Sequence, residues 1–278
     1  MTPRPSTLLF CPAHRPERFD KALQAGAPGI VLDLEDGVGA DAKDTARDAA
    51  LAWLAGPSAL ATAQHICLRV NDPLTAAGLE DLHRLVHATA LPATGWLMLP
   101  KVEDAALLRW AASHLQRKAP GWRLCALIES AAGLRGAHQI ARAHPALAAL
   151  GFGGADLRAE LGAADTWEAL LHARSSLVVD AAGTGLALLD VPHIVIDDEA
   201  GLREQALRAR ALGFHGKLAI HPRQVRPILE CFGPSPAERE AARRIVTAYE
   251  ACAGNACQVD GRMVDEPIYQ QARALLAR

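Results

Sequence analysis

Three acids, Asp33, Glu35 and Asp36, close the apolar run Gly29-Ile-Val-Leu-Asp-Leu-Glu-Asp36. Two more stand just past similar runs, in Leu124-Cys-Ala-Leu-Ile-Glu129 and Leu150-Gly-Phe-Gly-Gly-Ala-Asp156. Asp33 and Glu35 are two apart, so an extended backbone points both to one face. Burying carboxylates there without cations or donors would be costly. Glu129 and Asp156, brought together from adjacent strand ends, suit Mg2+, with waters and substrate oxygens completing an octahedron. Zinc fits less well, because no histidine pair at ligand spacing accompanies them. Each acid alone is equally compatible with a helix N-cap or an exposed loop, but their recurrence in one topological position favours a shared site.

Arg69 lies inside Ile66-Cys-Leu-Arg-Val-Asn71, where a lone arginine rarely belongs without an anionic partner. Its planar fork suits bidentate capture of a substrate carboxylate, or an internal bridge to Asp33, Glu35 or Asp36, and the two roles are compatible. Lys101, after Leu99-Pro100, has three readings: pairing with Glu35 or Glu129, neutralising a substrate, or forming a Schiff base. Pairing is favoured. The glycines of Gly151-Phe-Gly-Gly154 lack dinucleotide-loop spacing and read as room for backbone N–H groups near a carboxylate or metal shell. His221, alone in Ala-Ile-His-Pro, reads as structural.

These residues need elements to hold them. Continuous apolar runs of this kind mark strands buried on both faces. Eight candidates can be counted: Thr7 to Cys11, the runs near 29–35, 65–70, 95–101, 123–129, 147–153 and 193–197, and Lys217 to His221. Amphipathic helical patterns lie between most of them, with Gly or Pro at many returns. Polar residues at the carboxyl ends of parallel strands are where α/β enzymes build their sites. The fold class predicted is therefore α/β, a (β/α)8 TIM barrel over residues 1–232. A C-terminal extension over 233–278 follows, consisting of a long helix, a hairpin turning at Asp260-Gly261 and a short helix. It is expected to pack on the barrel or on a neighbouring subunit. Asp197 and Asp198, after the 193–197 run, receive no catalytic task beyond capping the next helix.

Composition narrows the function classes. The chain has 278 residues, half of them apolar, and a formal net charge of −2, which gives a large core and no basic stripe for nucleic acid. Arg-rich stretches such as Arg203 to Arg210 alternate with Glu as solvated helix faces do. The six scattered cysteines read as buried free thiols in a reducing compartment, with no CxxC pair. Neither a signal-peptide pattern nor a membrane-spanning run is present in the sequence, so a cytoplasmic protein without membrane contact is expected.

The ordered motifs Leu-Phe-Cys-Pro-Ala-His-Arg-Pro-Glu-Arg-Phe (9–19), Asp-Leu-Glu-Asp-Gly-Val (33–38), Leu-Arg-Val-Asn (68–71) and Met-Leu-Pro-Lys (98–101) carry a family likeness. So do Leu-Ile-Glu-Ser (127–130), Gly-Gly-Ala-Asp-Leu (153–157), Ala-Ile-His-Pro (219–222) and Asp-Gly-Arg-Met-Val-Asp (260–265). Together they resemble the citrate lyase beta-subunit-like family of the HpcH/HpaI aldolase superfamily, over essentially the whole chain. The resemblance implies a Mg2+-dependent lyase that cleaves or forms a C–C bond in a carboxylate-bearing 3-hydroxyacyl-CoA, yielding acetyl-CoA and a 2-oxo acid. It places the metal carboxylates on Glu129 and Asp156, the substrate-carboxylate arginine on Arg69 and the acidic network on Asp33, Glu35 and Asp36. Arg15, Lys21 and Lys43 become the positions for the CoA phosphates. Asp265 becomes the acid that a neighbouring subunit's C-terminal segment contributes, in a homotrimer or hexamer. Many relatives read Gly-x-Glu-Asp where this chain has Gly154-Ala155-Asp156, so the metal ligand is kept but an acidic neighbour is absent. The rival readings are a metal-dependent 2-oxo-acid aldolase without CoA and a non-catalytic barrel that binds acyl-CoA or an oxo acid.

Overall fold

The computed structural model describes residues 5–62 and 64–277. The chain divides into two compact units, one through Leu229 and one from Glu230. The first is built on eight parallel strands in sequential order: β1 (Leu9–Pro12), β2 (Gly29–Asp33), β3 (His65–Arg69), β4 (Gly95–Leu99), β5 (Trp122–Ile128), β6 (Leu147–Phe152), β7 (Ala187–Asp190) and β8 (Gly216–Lys217). Every residue of β2 and β4 is buried, as expected for strands covered on both faces. The sheet curls. Leu8, Val31, Cys67, Met98, Leu127, Ala149, Leu189 and Leu218, contributed from all around it, pack into one apolar cluster. Around the last strand, Phe10 N donates to Ala219 O at 2.8 Å and Ala219 N to Leu8 O at 3.0 Å, while Lys217 N donates to Ser6 O at 3.1 Å.

Helices fill the crossovers: α1 (Phe19–Gln24), α2 (Lys43–Leu54), α3 (Pro57–Ala61), α4 (Ala76–Val86), α5 (Ala105–Lys118), α6 (Ala131–Ile140), α7 (Gly154–Leu161), α8 (Leu171–Ala181), α9 (Glu199–Leu212) and α10 (Pro222–Phe232). Their starts are chemically marked. Thr75, Asp104, Ser130 and Asp198 each accept a backbone N–H of the first turn of α4, α5, α6 and α9. Among the described residues, no helix is long and apolar enough to cross a membrane. Four cysteines are buried, whereas Cys252 and Cys257 are partly exposed.

The seventh strand is a correction. The run at 193–197 is not a strand, and Ile194, Val195 and Ile196 are exposed. The preceding segment, Ala187–Asp190, takes the place instead, pairing with β6 and β8. Both segments are apolar, and hydrophobic pattern alone does not choose between them. Gly183 and Gly185, at φ 76° and 77°, turn the chain directly from α8 into β7, and Pro192 follows it. The 193–198 segment becomes the loop into α9, with Asp198 as its cap.

In the second unit, α11 (Pro236–Ala251) starts with a complete capping box between Ser235 and Glu238. The β9 (Cys257–Val259) and β10 (Arg262–Val264) strands form an antiparallel hairpin. Asp260 and Gly261, at φ 51° and 77°, occupy its two-residue turn, the conformation that selects Asp-Gly. The hairpin leads into α12 (Glu266–Leu276), and Tyr249 of α11 stacks on Tyr269 of α12 at 4.7 Å.

A buried ion cluster fastens β7 to β8. Asp190 and Lys217 are register partners, and Lys217 Nζ donates to Asp190 Oδ2 at 2.7 Å. Arg174 Nε donates to Asp190 Oδ1 at 2.9 Å, its guanidinium lying between Phe152 and Trp167. Burial holds the Lys217 ammonium below its ordinary pKa, opposed by the Asp190 charge. Asp190→Ala would leave two buried cations uncompensated. The expected loss is about 3–5 kcal/mol in denaturant unfolding. A loss within experimental error would show that the cluster does not hold the strands together.

Candidate active site

The site grows from the register of β2 and β3, which places Asp33 opposite Arg69. Arg69 Nε donates to Asp33 Oδ1 at 2.7 Å and Nη2 to Asp33 Oδ2 at 2.8 Å, a two-pronged bond. The same carboxylate accepts the backbone N–H groups of Glu35 and Gly37, each at 3.0 Å. Asp33 is thereby fully occupied. A side chain at Gly37 would collide with its Oδ2, which explains the glycine. Arg69 also lies over the Phe10 ring at 4.8 Å. Its third nitrogen, Nη1, sits 2.7 Å from Glu35 Oε2 and 3.5 Å from Asp36 Oδ2. The approach to Glu35 is off the hydrogen-bonding direction, so both Glu35 oxygens are buried without a hydrogen-bond partner.

Glu129, 4% exposed, follows β5. Its Oε1 accepts the backbone N–H of Lys101 at 2.7 Å. That bond is obtained with Lys101 at φ 51°, a left-handed conformation uncommon outside glycine. On the other side Gly153 leaves room for the carboxylate, since any side chain there would overlap Glu129. Asp156 is exposed in the first turn of α7, a helix absent from the sequence reading. The positive end of that helix favours an acid at this position. The Lys101 ammonium is half-exposed and 3.9 Å from Glu35 Oε1.

The electrostatics show an imbalance. Burial pushes the Glu35 carboxyl up to about 8, with Arg69 opposing and Glu129 and Asp36 adding to the rise. Burial also pushes Glu129 up to about 7; the Lys101 amide opposes and the Asp156 charge reinforces. Partial burial works to lower the Lys101 pKa, but the charges of Glu35, Asp156 and Glu129 outweigh it and raise it. Arg69 is the one strongly buried cation here among the described residues, and Asp33 already claims two of its nitrogens. The carboxylates here outnumber the cations beside them, and among the described residues no three His, Cys, Asp or Glu side chains converge closely enough to hold a metal ion by themselves.

The other predicted residues of the first unit make contacts of their own. Arg15 is exposed and bonds Glu17 at 2.6 Å, and Lys21 is exposed on α1. Lys43 Nζ donates to the carbonyls of Leu34 and Glu35, both at 2.7 Å, and so pins the acidic loop from behind. His221 accepts the Arg223 N–H at 3.3 Å. Asp265 belongs to the second unit, where it N-caps α12 by accepting from Ile268 N at 3.4 Å. Sequence reasoning missed the Lys101 amide, Gly37 and the clamping role of Lys43, and it set Gly153 near a carboxylate without identifying Glu129 as the one it makes room for. Lys43 had one available signal, an i+8 lysine behind an acidic loop. The backbone conformation of Lys101 had none.

Comparison with known proteins bears on this arrangement. The family model described as HpcH/HpaI aldolase/citrate lyase matches residues 6–222. A citrate lyase subunit beta-like protein of Deinococcus radiodurans is 34% identical, covering 98% of this chain and 96% of that protein. The mitochondrial citramalyl-CoA lyase of Homo sapiens is 32% identical over 96% of this chain and 83% of its own. Among solved structures, protein CitE from Mycobacterium tuberculosis in complex with magnesium, acetoacetate and coenzyme A is 35% identical. It superimposes with a TM-score of 0.81, covering 98% of this chain and 97% of that one.

The raised carboxyls make a pH prediction. A group whose folded pKa lies above its unfolded value adds stability that is full below the unfolded pKa and is lost as pH rises through the folded one. For Glu35 and Glu129 the window runs from the ordinary 4.5 up to about 8 and about 7. Without divalent cations, thermal stability should therefore decline across that window, and Glu35→Gln or Glu129→Gln should flatten the decline. A slope identical to the parent in both variants would contradict the assignment.

Proposed function

The chain belongs to the HpcH/HpaI aldolase/citrate lyase family, and from that premise we propose a Mg2+-dependent carbon–carbon lyase. It cleaves, or in reverse forms, a carboxylate-bearing 3-hydroxyacyl-CoA of the citramalyl, malyl or citryl type, giving acetyl-CoA and a 2-oxo acid. The observation that carries this reading is the surplus of carboxylates over cations around Glu129, with both Glu35 oxygens buried and without a hydrogen-bond partner. An all-oxygen set of this kind fits a hard divalent cation. That the similar CitE structure is in complex with magnesium, acetoacetate and coenzyme A supports a reading that uses a divalent cation and a CoA thioester.

Glu129 and Asp156 are the proposed metal carboxylates. When bound, Mg2+ supplies Lewis-acid polarisation of the oxygens of the 2-oxo-acid half. Arg69, oriented by Asp33, offers Nη1 to the substrate carboxylate. Asp33 is thus a positioning residue, and Lys43 holds the loop that carries Glu35 and Asp36. In the cleavage direction a base takes the substrate hydroxyl proton. The electrons of the C–C bond then pass to the thioester as the acetyl-CoA enolate, which is protonated. Glu35, whose carboxyl burial pushes up to about 8, can hold a proton at this site, and Asp265 of a neighbouring copy is the second proposed proton carrier. Arg15, Lys21 and the remaining donor of Lys43 are proposed for the CoA phosphates.

The rest of the frame is part of the same proposal. The eight strands form a closed (β/α)8 barrel, supported by the bonds that residues 6–10 exchange with 217–219. Residues 1–232 are the catalytic domain and 233–278 an extension serving a homo-oligomer, a trimer or hexamer, in the cytoplasm. Lys101 is not a Schiff-base nucleophile in this scheme. Such a lysine needs a lowered pKa, and its neighbours raise it.

Acetyl-CoA release should be measured from citramalyl-, malyl-, methylmalyl- and citryl-CoA, with Mg2+ and with EDTA. One or more should be cleaved only with metal. Glu129→Ala and Asp156→Ala, folded by circular dichroism, should lose at least about a hundredfold in kcat. Full retention in both, or EDTA-insensitive turnover trapped by borohydride at Lys101, would overturn the proposal.

A further inference from the structure

A large cavity of the first unit lies away from the carboxylates. It has a volume of about 780 Å3 and lies at the amino ends of β3 to β7, where His65, Trp96, Arg123, Leu147 and Ala187 line it. Along β3 the alternation puts His65, Cys67 and Arg69 on one face. His65 lines the cavity, Arg69 is in the acidic site, and Cys67 belongs to the packed apolar cluster between. Four residues of strand separate the two by about 13 Å. They are different sites.

Its charge is opposite as well. Arg123 and Arg142 line it, and no Asp or Glu is among the described residues that do. Both guanidiniums are held by neutral acceptors. Arg123 Nε donates to Ala146 O at 3.1 Å and Nη2 to Pro145 O at 2.9 Å. Arg142 Nη1 donates to Asp180 O at 2.8 Å and Nη2 to Ala182 O at 3.0 Å. Carbonyls fix the two forks without cancelling their charge, so little side-chain freedom remains to be lost on binding an anion. His144 Nδ1 accepts the Ala146 N–H at 3.0 Å, which puts the ring proton on Nε2 and gives the lining one more donor. Ile66, Trp96 and Leu186 supply an apolar wall. The volume falls in the range of organic-ligand sites, roughly 300–1,000 Å3, and exceeds what an inorganic ion fills.

We propose that this cavity is a second ligand site, which binds an organic polyanion through Arg123 and Arg142 with its carbon body against Trp96. Phosphate and carboxylate groups both match a guanidinium fork, so both chemistries are probed.

The test is calorimetric titration of the full chain in EDTA with inorganic pyrophosphate and with benzene-1,3,5-tricarboxylate, followed in parallel by tryptophan emission. At least one probe should saturate, and a preference between them identifies the charged group of the natural ligand. The double variant Arg123→Gln, Arg142→Gln keeps hydrogen-bond donors toward the carbonyls while removing the charge. It should bind about tenfold or more weakly. Trp96→Phe should abolish the emission change produced by the tricarboxylate, and Glu129→Gln should leave affinity unchanged. The proposal fails if neither probe saturates, if the folded double variant binds as tightly as the parent, or if Glu129→Gln removes the binding.

Discussion

One guanidinium has too many acids to satisfy. The parallel register of β2 and β3 sets Asp33 opposite Arg69, and the two-pronged bond between them consumes most of the buried positive charge at this end of the sheet. Everything around it follows from the deficit. Glu35 reaches the same guanidinium only at its edge, and Glu129 is stabilised by a backbone amide rather than by a cation. A closed ion pair would make a stable, inert core. An ion pair with surplus carboxylates leaves buried acids that must either hold a proton or find a further donor or cation.

The contrast within the same sheet supports this. Asp190, Lys217 and Arg174 use similar ingredients, but there two cations surround one acid, and Asp190 is bonded on both oxygens. That cluster sits among Phe152 and Trp167, wholly buried, and serves the packing of β7 and β8. The acidic site is built the other way, with strained or unusual backbone spent on aiming single groups. Lys101 adopts a left-handed conformation and Gly153 gives up a side chain, and both choices fix the orientation of Glu129.

Much of this was legible in the residues. Buried strands announce themselves as apolar runs, so β2, β4, β5 and β6 fall where periodicity puts them, and Asp260-Gly261 declares its hairpin turn. The acids and Arg69 were visible because charge inside or just past an apolar run is expensive and therefore informative. The seventh strand was not, because Ala187–Asp190 and residues 193–197 carry the same signal and pairing with β6 and β8 chose between them. Asp190 and Lys217 were passed over for a related reason. Their meaning lies in facing each other across two strands, which no linear spacing displays. The Lys101 amide was invisible in principle, since every residue has one.

The two ends of the sheet also differ in a way that helix direction explains. In a βα unit each helix starts near the carboxyl end of its strand, so the partial positive charge of the helix N-termini gathers at that end. Asp156 in the first turn of α7 sits on such a terminus. The helix carbonyl ends gather at the opposite side, where cations are favoured. Arg142 shows this directly: it donates to His138 O near the end of α6 and to Asp180 O and Ala182 O at the end of α8. The backbone thus favours acids at one end and bases at the other, the bases Arg69 and Lys101 at the acidic end standing beside carboxylates, and the apolar layer of Cys67, Met98, Cys125 and Leu189 lies between the ends. The polarity that separates the two ends of the same eight strands is therefore a property of the crossovers rather than of any one side chain.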